Sequence, residues 1–281
     1  MQTRTIGDSA VSAIGLGAMP LSVEGRPDRE RAVATVVAAV EAGITLIDTA
    51  DAYAPGHDDF GHNEELVAEA VRRTGADVLI STKGGHTRTP DGGWGLDGRP
   101  EYLRSACEAS LKRLGVEAID LYHFHRPDPA VPIAESVGAL AGLLDAGKIR
   151  MAAVSNFDPA QIREANEVLG GRLAAVQNQF SPAYRDSQPE LELCAELGIA
   201  FLPWSPLGGI GKADDLGGGA DPFRSVARAH GVSPQRVALA WMLAKAPVVV
   251  PIPGSSRPAS ITDSAAAAEL VLTADELAGL G

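Results

Sequence analysis

Asp48, Tyr53, Lys83 and His125 stand where three successive apolar runs, 44–47, 78–80 and 119–122, give out. If those runs are neighbouring parallel strands, the four side chains collect at one rim of a sheet. A carboxylate, a phenol, an ammonium and an imidazole gathered in one place make a proton-donating site. Taken singly, each has a plainer reading: a packing tyrosine, a solvated lysine, an aspartate that forms a turn in Asp48-Thr49-Ala50. Their convergence at strand ends is what points to catalysis.

The elements that must position them are legible along the whole chain. Strand-like runs cover 13–16, 44–47, 78–81, 118–124, 149–154, 173–176, 199–203 and 248–252. Amphipathic helix-like stretches fill the gaps at 28–42, 62–73, 100–114, 132–146, 158–168, 189–197, 222–230, 234–245 and 258–268, with a last one at 274–280. Gly43, Gly115, Gly147 and Gly198 follow helical stretches, where a C-capping glycine belongs. Asp28, Asn156 or Asp158, and Ser233 suit helix N-caps, with Pro159 and Pro234 early in the helices that follow. Alternating strands and helices over 281 residues predict one α/β domain spanning 1–281, a closed (β/α)8 TIM barrel. Residues 3–12 read as a short hairpin turning at Gly7-Asp8, which would plug the bottom of the barrel, and 217–219 reads as a mobile loop. An open doubly wound sheet would need a third glycine three residues beyond Gly17, but Pro20 stands there.

Apolar residues make up 45% of the chain, enough for a full core, but aromatics only 5%, so aliphatic side chains must fill it. The net charge of −12 argues against nucleic-acid or anionic-membrane partners. No run is long enough to span a membrane, and Met1-Gln2-Thr3-Arg4 opens no signal-like apolar stretch. Cys107 and Cys194 have no neighbouring Cys or His and read as buried free thiols in a reduced, cytoplasmic setting. A His-rich metal site at His123 and His125 lacks a third ligand at convincing spacing, so no metal is expected. Alternation puts His123 one layer below His125, as a hydrogen-bonded histidine of the barrel floor.

At the strand ends the chain resembles the aldo-keto reductases from Thr3 to Leu280. The resemblance is carried by Ile14-Gly15-Leu16-Gly17, Asp48-Thr49-Ala50-Asp51-Ala52-Tyr53, Ser81-Thr82-Lys83-Gly84, Asp120-Leu121-Tyr122 with His125, Val154-Ser155-Asn156-Phe157 and Trp204-Ser205-Pro206-Leu207-Gly208. It implies NAD(P)H-dependent carbonyl reduction by a tetrad of Asp48, Tyr53, Lys83 and His125. The chemistry is consistent. Hydride addition to a carbonyl leaves an alkoxide, which needs a proton or strong donors as it forms. A lysine about 4 Å from the phenol, at an effective dielectric of about 20, favours phenolate by about 4 kcal/mol, or about 3 pKa units. Lys83 is thus expected to draw Tyr53 toward neutrality, Asp48 to orient Lys83, and His125 to aim the carbonyl oxygen.

The resemblance also implies a cofactor path. Gly17, Ala18, Met19 and Asp48 lie at its start, Ser155, Asn156 and Gln177 hold the carboxamide, and Trp204 stacks on the ring. Leu207, Gly208 and Gly209 offer backbone N–H groups to the pyrophosphate, with Ser205 and Pro206 leading into that turn. Ile252, Gly254, Ser255 and Arg257 lie at the far phosphate. Many members have Lys where Gly254 stands, and Arg and Asn where Ser260 and Ser264 stand, and those departures weaken the selection of NADPH. Arg257, Ser255 and the helix N-terminus still suit a phosphate, so NADP(H) is favoured over NAD(H). Trp94, in the long 84–100 loop, Phe157, Tyr53 and His125 are expected around a small-molecule carbonyl substrate, with Met19 and the 54–60 insert as further walls. The short end after the last helix suggests an open mouth. A monomer or weak homo-oligomer is expected. The alternative within this resemblance is a nicotinamide-binding, redox-sensing protein with little turnover.

Overall fold

Side chains alternate across every parallel strand, and that alternation sorts the molecule into two cores. In the computed structural model, which describes residues 1–213 and 222–281, an N-terminal hairpin of β1 (Thr3–Ile6) and β2 (Ser9–Ser12) precedes β3 (Leu16–Gly17) and α1 (Arg29–Glu41). Then follow β4 (Leu46–Asp48), α2 (His62–Thr74) and β5 (Leu79–Gly84). A second hairpin, β6 (His86–Arg88) and β7 (Trp94–Leu96), leads to α3 (Pro100–Leu114). The repeat resumes with β8 (Ile119–Phe124), α4 (Ile133–Asp145), β9 (Ile149–Ser155), α5 (Pro159–Val168), β10 (Leu173–Gln177), α6 (Gln188–Leu197) and β11 (Ala200–Phe201). Helices α7 (Pro222–His230), α8 (Pro234–Leu243), α9 (Pro258–Ala265) and α10 (Ala274–Leu280) complete the described chain. The glycine stretch at 217–219 lies outside the described residues.

The parallel sheet runs β3-β4-β5-β8-β9-β10-β11. Residues 248–254 close it into the (β/α)8 barrel, bridging Val249 to Phe201 on one side and Gly254 to Gly17 on the other. This closing segment was expected as an ordinary strand, but its ladder is incomplete for a chemical reason. Val250 and Ile252 donate N–H bonds to Phe201 and Pro203, whereas the intervening Pro251 and Pro253 only accept, from Gly15 and Gly17. The seam is tight: a Cβ on Gly17 would stand 2.7 Å from the Ile252 carbonyl oxygen, and one on Gly254 would stand 2.9 Å from Pro20 Cγ. A longer side chain at position 254 would have to displace Pro20.

Leu46, Leu121, Ala153, Ala175 and Val250 point inward in the lower barrel, where Ile6 and Val11 of the hairpin join them. The hairpin therefore plugs the bottom, tied there by Ser12 N–H to Thr45 Oγ1 (2.8 Å) and Thr45 N–H to Ser12 Oγ (2.9 Å). Ile47, Tyr122, Val154 and Val176 point outward against the helices. Helix boundaries follow local chemistry. Asp28 and Ser233 cap α1 and α8 through the N–H groups of Arg31 and Arg236, and Asp158 forms a capping box with Gln161 on α5. Gly115 and Gly198 end α3 and α6 in the left-handed conformation.

Residues 84–100, expected as a long loop, contain a hairpin. Pro90-Asp91-Gly92 folds them back as β6 on β7, pairing Arg88 with Trp94 and His86 with Leu96. Among the described residues, no helix is long and apolar enough to cross a membrane. Cys107 and Cys194 are buried free thiols, each pushed up to about 12 by burial.

Candidate active site

The upper layer of inward positions is polar where the lower layer is aliphatic. Two residues beyond Leu46 is Asp48, beyond Leu79 is Ser81 and then Lys83, beyond Leu121 is His123, beyond Ala153 is Ser155, and beyond Ala175 is Gln177. Register brings these groups level: Asp48 pairs with Ser81, and Lys83 with His123.

Asp48 is 2% exposed and fully engaged. Its Oδ1 accepts from Ser81 Oγ (2.8 Å) and Gln177 Nε2 (2.8 Å), and its Oδ2 accepts from Lys83 Nζ (2.6 Å). Lys83 is wholly buried and also donates to the Thr49 carbonyl (2.7 Å). Burial lowers the Lys83 pKa, and the charge and hydrogen bond of Asp48 oppose that shift. His123 touches Ser81 Oγ through Nε2 (2.9 Å) in the barrel interior, and burial holds its pKa well below the usual imidazole range. It is a neutral, hydrogen-bonded histidine of the floor.

Tyr53 is carried by the turn that follows β4. Asn63, at the start of α2, accepts from Thr49 Oγ1 (2.6 Å) and donates to the Ala18 carbonyl (2.9 Å) and Ser22 Oγ (2.7 Å), while its N–H bonds the Tyr53 carbonyl (3.2 Å). Asn63 was not foreseen, since an Asn one residue into a helix carries no signal by itself. Lys83 Nζ stands 5.0 Å from the Tyr53 ring centroid, and the His125 ring is 5.6 Å away at 77°.

One expectation fails here. Tyr53 is not drawn toward neutrality: burial first, then the carboxylates of Asp48 and Asp51, hold its pKa well above 10. The ammonium is spent on Asp48 and Thr49, so its field at the phenol is largely cancelled. His125 is pushed well below the usual imidazole range by burial and by the neighbouring His86 and Lys83. Its Nδ1 is buried without a partner. An unpaired buried N–H costs about 1–3 kcal/mol, so the neutral ring keeps its proton on Nε2.

A cavity of about 890 Å³ opens over this layer. Asp48, Tyr53, His125 and Trp94 line one end, and Lys83 lies behind that wall. Ser155, Asn156, Gln177 and Trp204 line the middle, facing Gly17 and Met19. These groups are held by each other. Ser155 Oγ donates to the Gln177 carbonyl (2.7 Å), Asn156 Nδ2 to Ser155 Oγ (3.0 Å) and the His125 carbonyl (3.1 Å), and Trp204 Nε1 to Asn156 Oδ1 (3.2 Å). Asn156 and Ser205 both adopt positive φ, 62° and 50°. Such backbone is costly for a residue with a side chain and clusters at functional sites.

Ser205, Pro206, Leu207 and Gly209 continue the lining, and Ile252, Gly254, Ser255 and Arg257 reach the far end. There Ser256, before α9, and Ser260, Asp263 and Ser264 within it line the cavity, and Arg236 and Ser233 hold Asp263. Arg126, Gln235 and His86 also reach the cavity and were missed by the sequence reading. The helical spacing of 260 and 264 was the one available signal; the other three depend on how distant elements fold together.

Three expected residues do not line the cavity. Phe157 is 1% exposed and packs edge-on against Phe124 at 5.9 Å, because the left-handed turn at Asn156 sends it behind the strand. Ala18 is fully buried, its N–H committed to the Asp48 carbonyl (2.8 Å). Gly208 spends its N–H on the Ser205 carbonyl (2.9 Å). The 54–60 insert likewise contributes nothing to the lining. Among the described residues, no three His, Cys, Asp or Glu side chains converge as a metal site.

A closed parallel barrel with its polar layer at the C-terminal mouth has the form of a barrel enzyme. The family model described as "Aldo/keto reductase family" matches residues 13–280, and the chain belongs to that family. It is 37% identical over 276 residues to a 6-dehydroglucose reductase of Novosphingobium aromaticivorans, covering 94% of this chain and 89% of that one. It is 33% identical over 289 residues to the Schizosaccharomyces pombe aldo-keto reductase yakc [NADP(+)], covering 91% and 83%. The crystal structure of an aldo/keto reductase from Klebsiella pneumoniae with NADP and acetate superposes with a TM-score of 0.84 at 29% identity, covering 99% of this chain and 93% of that one.

Proposed function

We propose that the protein is an NADPH-dependent reductase of aldehydes and ketones, with Tyr53 as the proton donor. The observation that carries this reading is that Tyr53, His125 and Asp48 line one cavity while Lys83, buried behind that wall, is ion-paired to Asp48. When bound, the reduced nicotinamide supplies the hydride.

The donor set suits such a cofactor. Trp204 offers an indole held by Asn156, and Gln177 has its Nε2 committed to Asp48, which leaves Oε1 for a ligand. At the far end, Ser256, Ser260, exposed Arg257 and the N-terminus of α9, with Pro258 in its first turn, fit a phosphate. NADP is bound by the Klebsiella pneumoniae relative and named for the yeast one, which favours NADP(H) over NAD(H).

The raised pKa of Tyr53 keeps its proton in place at neutral pH. A phenol is intrinsically a stronger acid than an aliphatic alcohol, so the nascent alkoxide takes its proton from Tyr53. His125 donates from Nε2 to the same oxygen before and during reduction. Asp48 and Lys83 keep the phenol's surroundings fixed, and the buried aliphatic layer below excludes water.

The test is Tyr53→Phe. The rate of NADPH oxidation across an aldehyde panel should fall by about 10²–10⁴-fold, while the NADPH dissociation constant stays within a few-fold of the wild type. Undiminished reduction by this variant would remove Tyr53 from the mechanism.

A further inference from the structure

His86 sits at the reacting end of the cavity, outside the four residues to which the chemistry is ascribed. It begins β6, and its ring centroid lies 4.3 Å from that of His125 at 87°. Its Nδ1 is 3.2 Å from the Gly95 carbonyl across the hairpin. A carbonyl can only accept, so Nδ1 carries the proton and Nε2 is a bare lone pair. The tautomer is thus set by backbone, on the strand paired with β6. Trp94 packs edge-on against the same ring at 5.5 Å, and Arg88 lies 4.2 Å over the Trp94 ring, so the imidazole is clamped on both sides. Burial lowers the His86 pKa to about 4; the Gly95 bond opposes this, while Arg126 and Lys83 add to it. At neutral pH the ring is uncharged.

The groups around the reacting oxygen are otherwise donors: the Tyr53 hydroxyl, the His125 N–H and the exposed Arg126 guanidinium. Asp48 has both oxygens engaged. An acceptor held beside His125 has a chemical use. Two oxygens on adjacent carbons lie within hydrogen-bonding distance of each other, so a carbonyl oxygen on His125 brings a neighbouring hydroxyl within reach of His86.

We propose that His86 is a specificity-determining residue whose Nε2 accepts a hydrogen bond from a hydroxyl on the carbon next to the reacting carbonyl, so that the site selects α-hydroxy aldehydes and ketones. The inference rests on the carbonyl-reduction reading above. A substrate without that hydroxyl leaves a desolvated acceptor unpaired, and this is the kind of mismatch by which binding sites discriminate most strongly.

The experiment compares kcat/KM for 2-hydroxypropanal and propanal, with NADPH, in the wild type, His86→Leu and His86→Gln. The wild type should prefer the hydroxy aldehyde by about 10–100-fold. In His86→Leu that ratio should collapse toward one, whereas His86→Gln, which keeps an acceptor oxygen, should retain part of it. A general packing defect would slow both aldehydes without moving their ratio. A wild-type ratio near one, or a ratio unchanged in His86→Leu, overturns the proposal. Should the leucine variant not fold, the wild-type ratio and the glutamine variant still decide. Absence of turnover of either aldehyde by the wild type overturns the carbonyl-reduction reading as well, and so is distinguishable from loss of selectivity alone.

Discussion

Asp48 and Asp51 leave the same strand end, are both almost wholly buried, and have opposite environments. Asp48 faces the barrel interior with three donors on its two oxygens, one of them the Lys83 ammonium. Asp51 faces the helices. Its two carboxyl oxygens find no hydrogen-bond partner, and burial first, then the charge of Glu64, raises its pKa well above the usual carboxylate range. Glu64 in turn takes Thr82 Oγ1 (2.6 Å) and Arg113 Nε (2.5 Å). The difference teaches that burial alone does not make a functional carboxylate. A buried acid forms an ion pair where strand register delivers a cation and donors to its oxygens, and is driven toward its protonated form where desolvation outweighs the cations nearby.

The comparison can be broken most forcefully at Lys83. Lys83→Met leaves Asp48 with Ser81 and Gln177 but without its cation, at an expected cost of about 3–5 kcal/mol in denaturant unfolding, along with loss of turnover. Adding Asp48→Asn should restore much of the stability and none of the turnover. A single-variant cost no larger than that of a surface substitution would mean that the Asp48–Lys83 pair does not hold the barrel mouth together.

Arg113→Met tests the outer region. Glu64 keeps Thr82 but loses its cation, and because Arg113 is partly exposed the expected cost is smaller, about 2–3 kcal/mol. Turnover should change less than tenfold. A larger loss of turnover than of stability would erase the distinction between the two regions.

Asp51→Asn should have the smallest effect and the most informative sign. A carboxyl whose pKa is higher folded than unfolded binds more protons in the native state. It therefore lowers stability as pH rises from its ordinary value, near 3.8, toward its raised one. The variant should match the wild type near pH 4 and exceed it by about 1 kcal/mol at pH 8, as read from thermal or urea unfolding across that range. An advantage that shrinks with rising pH would show that Asp51 is charged and paired.

Much of this architecture was legible in advance because it rests on local chemistry. The helix read at 100–114 is α3 to the residue, since Pro100 and Gly115 mark its ends. The convergence of Asp48, Lys83 and His125 followed from three runs of similar length ending in step. The hairpin over 86–96 was written in Pro90-Asp91-Gly92 but overlooked among the surrounding glycines, and with it went His86. Phe157 was misplaced because one left-handed residue, Asn156, reverses the face on which its successor lies. The closing strand was placed correctly, but two prolines thin its ladder to isolated bridges.

By itself the chain determined the order of strands and helices, the identity of the polar groups at each strand end and the family to which it belongs, because periodicity, caps and motifs act over a few residues. The tertiary structure alone decided which of those groups are charged, which face the cavity and which proton each imidazole holds. Burial and the distance to an opposite charge set these properties, and both arise only when residues distant in sequence are packed together.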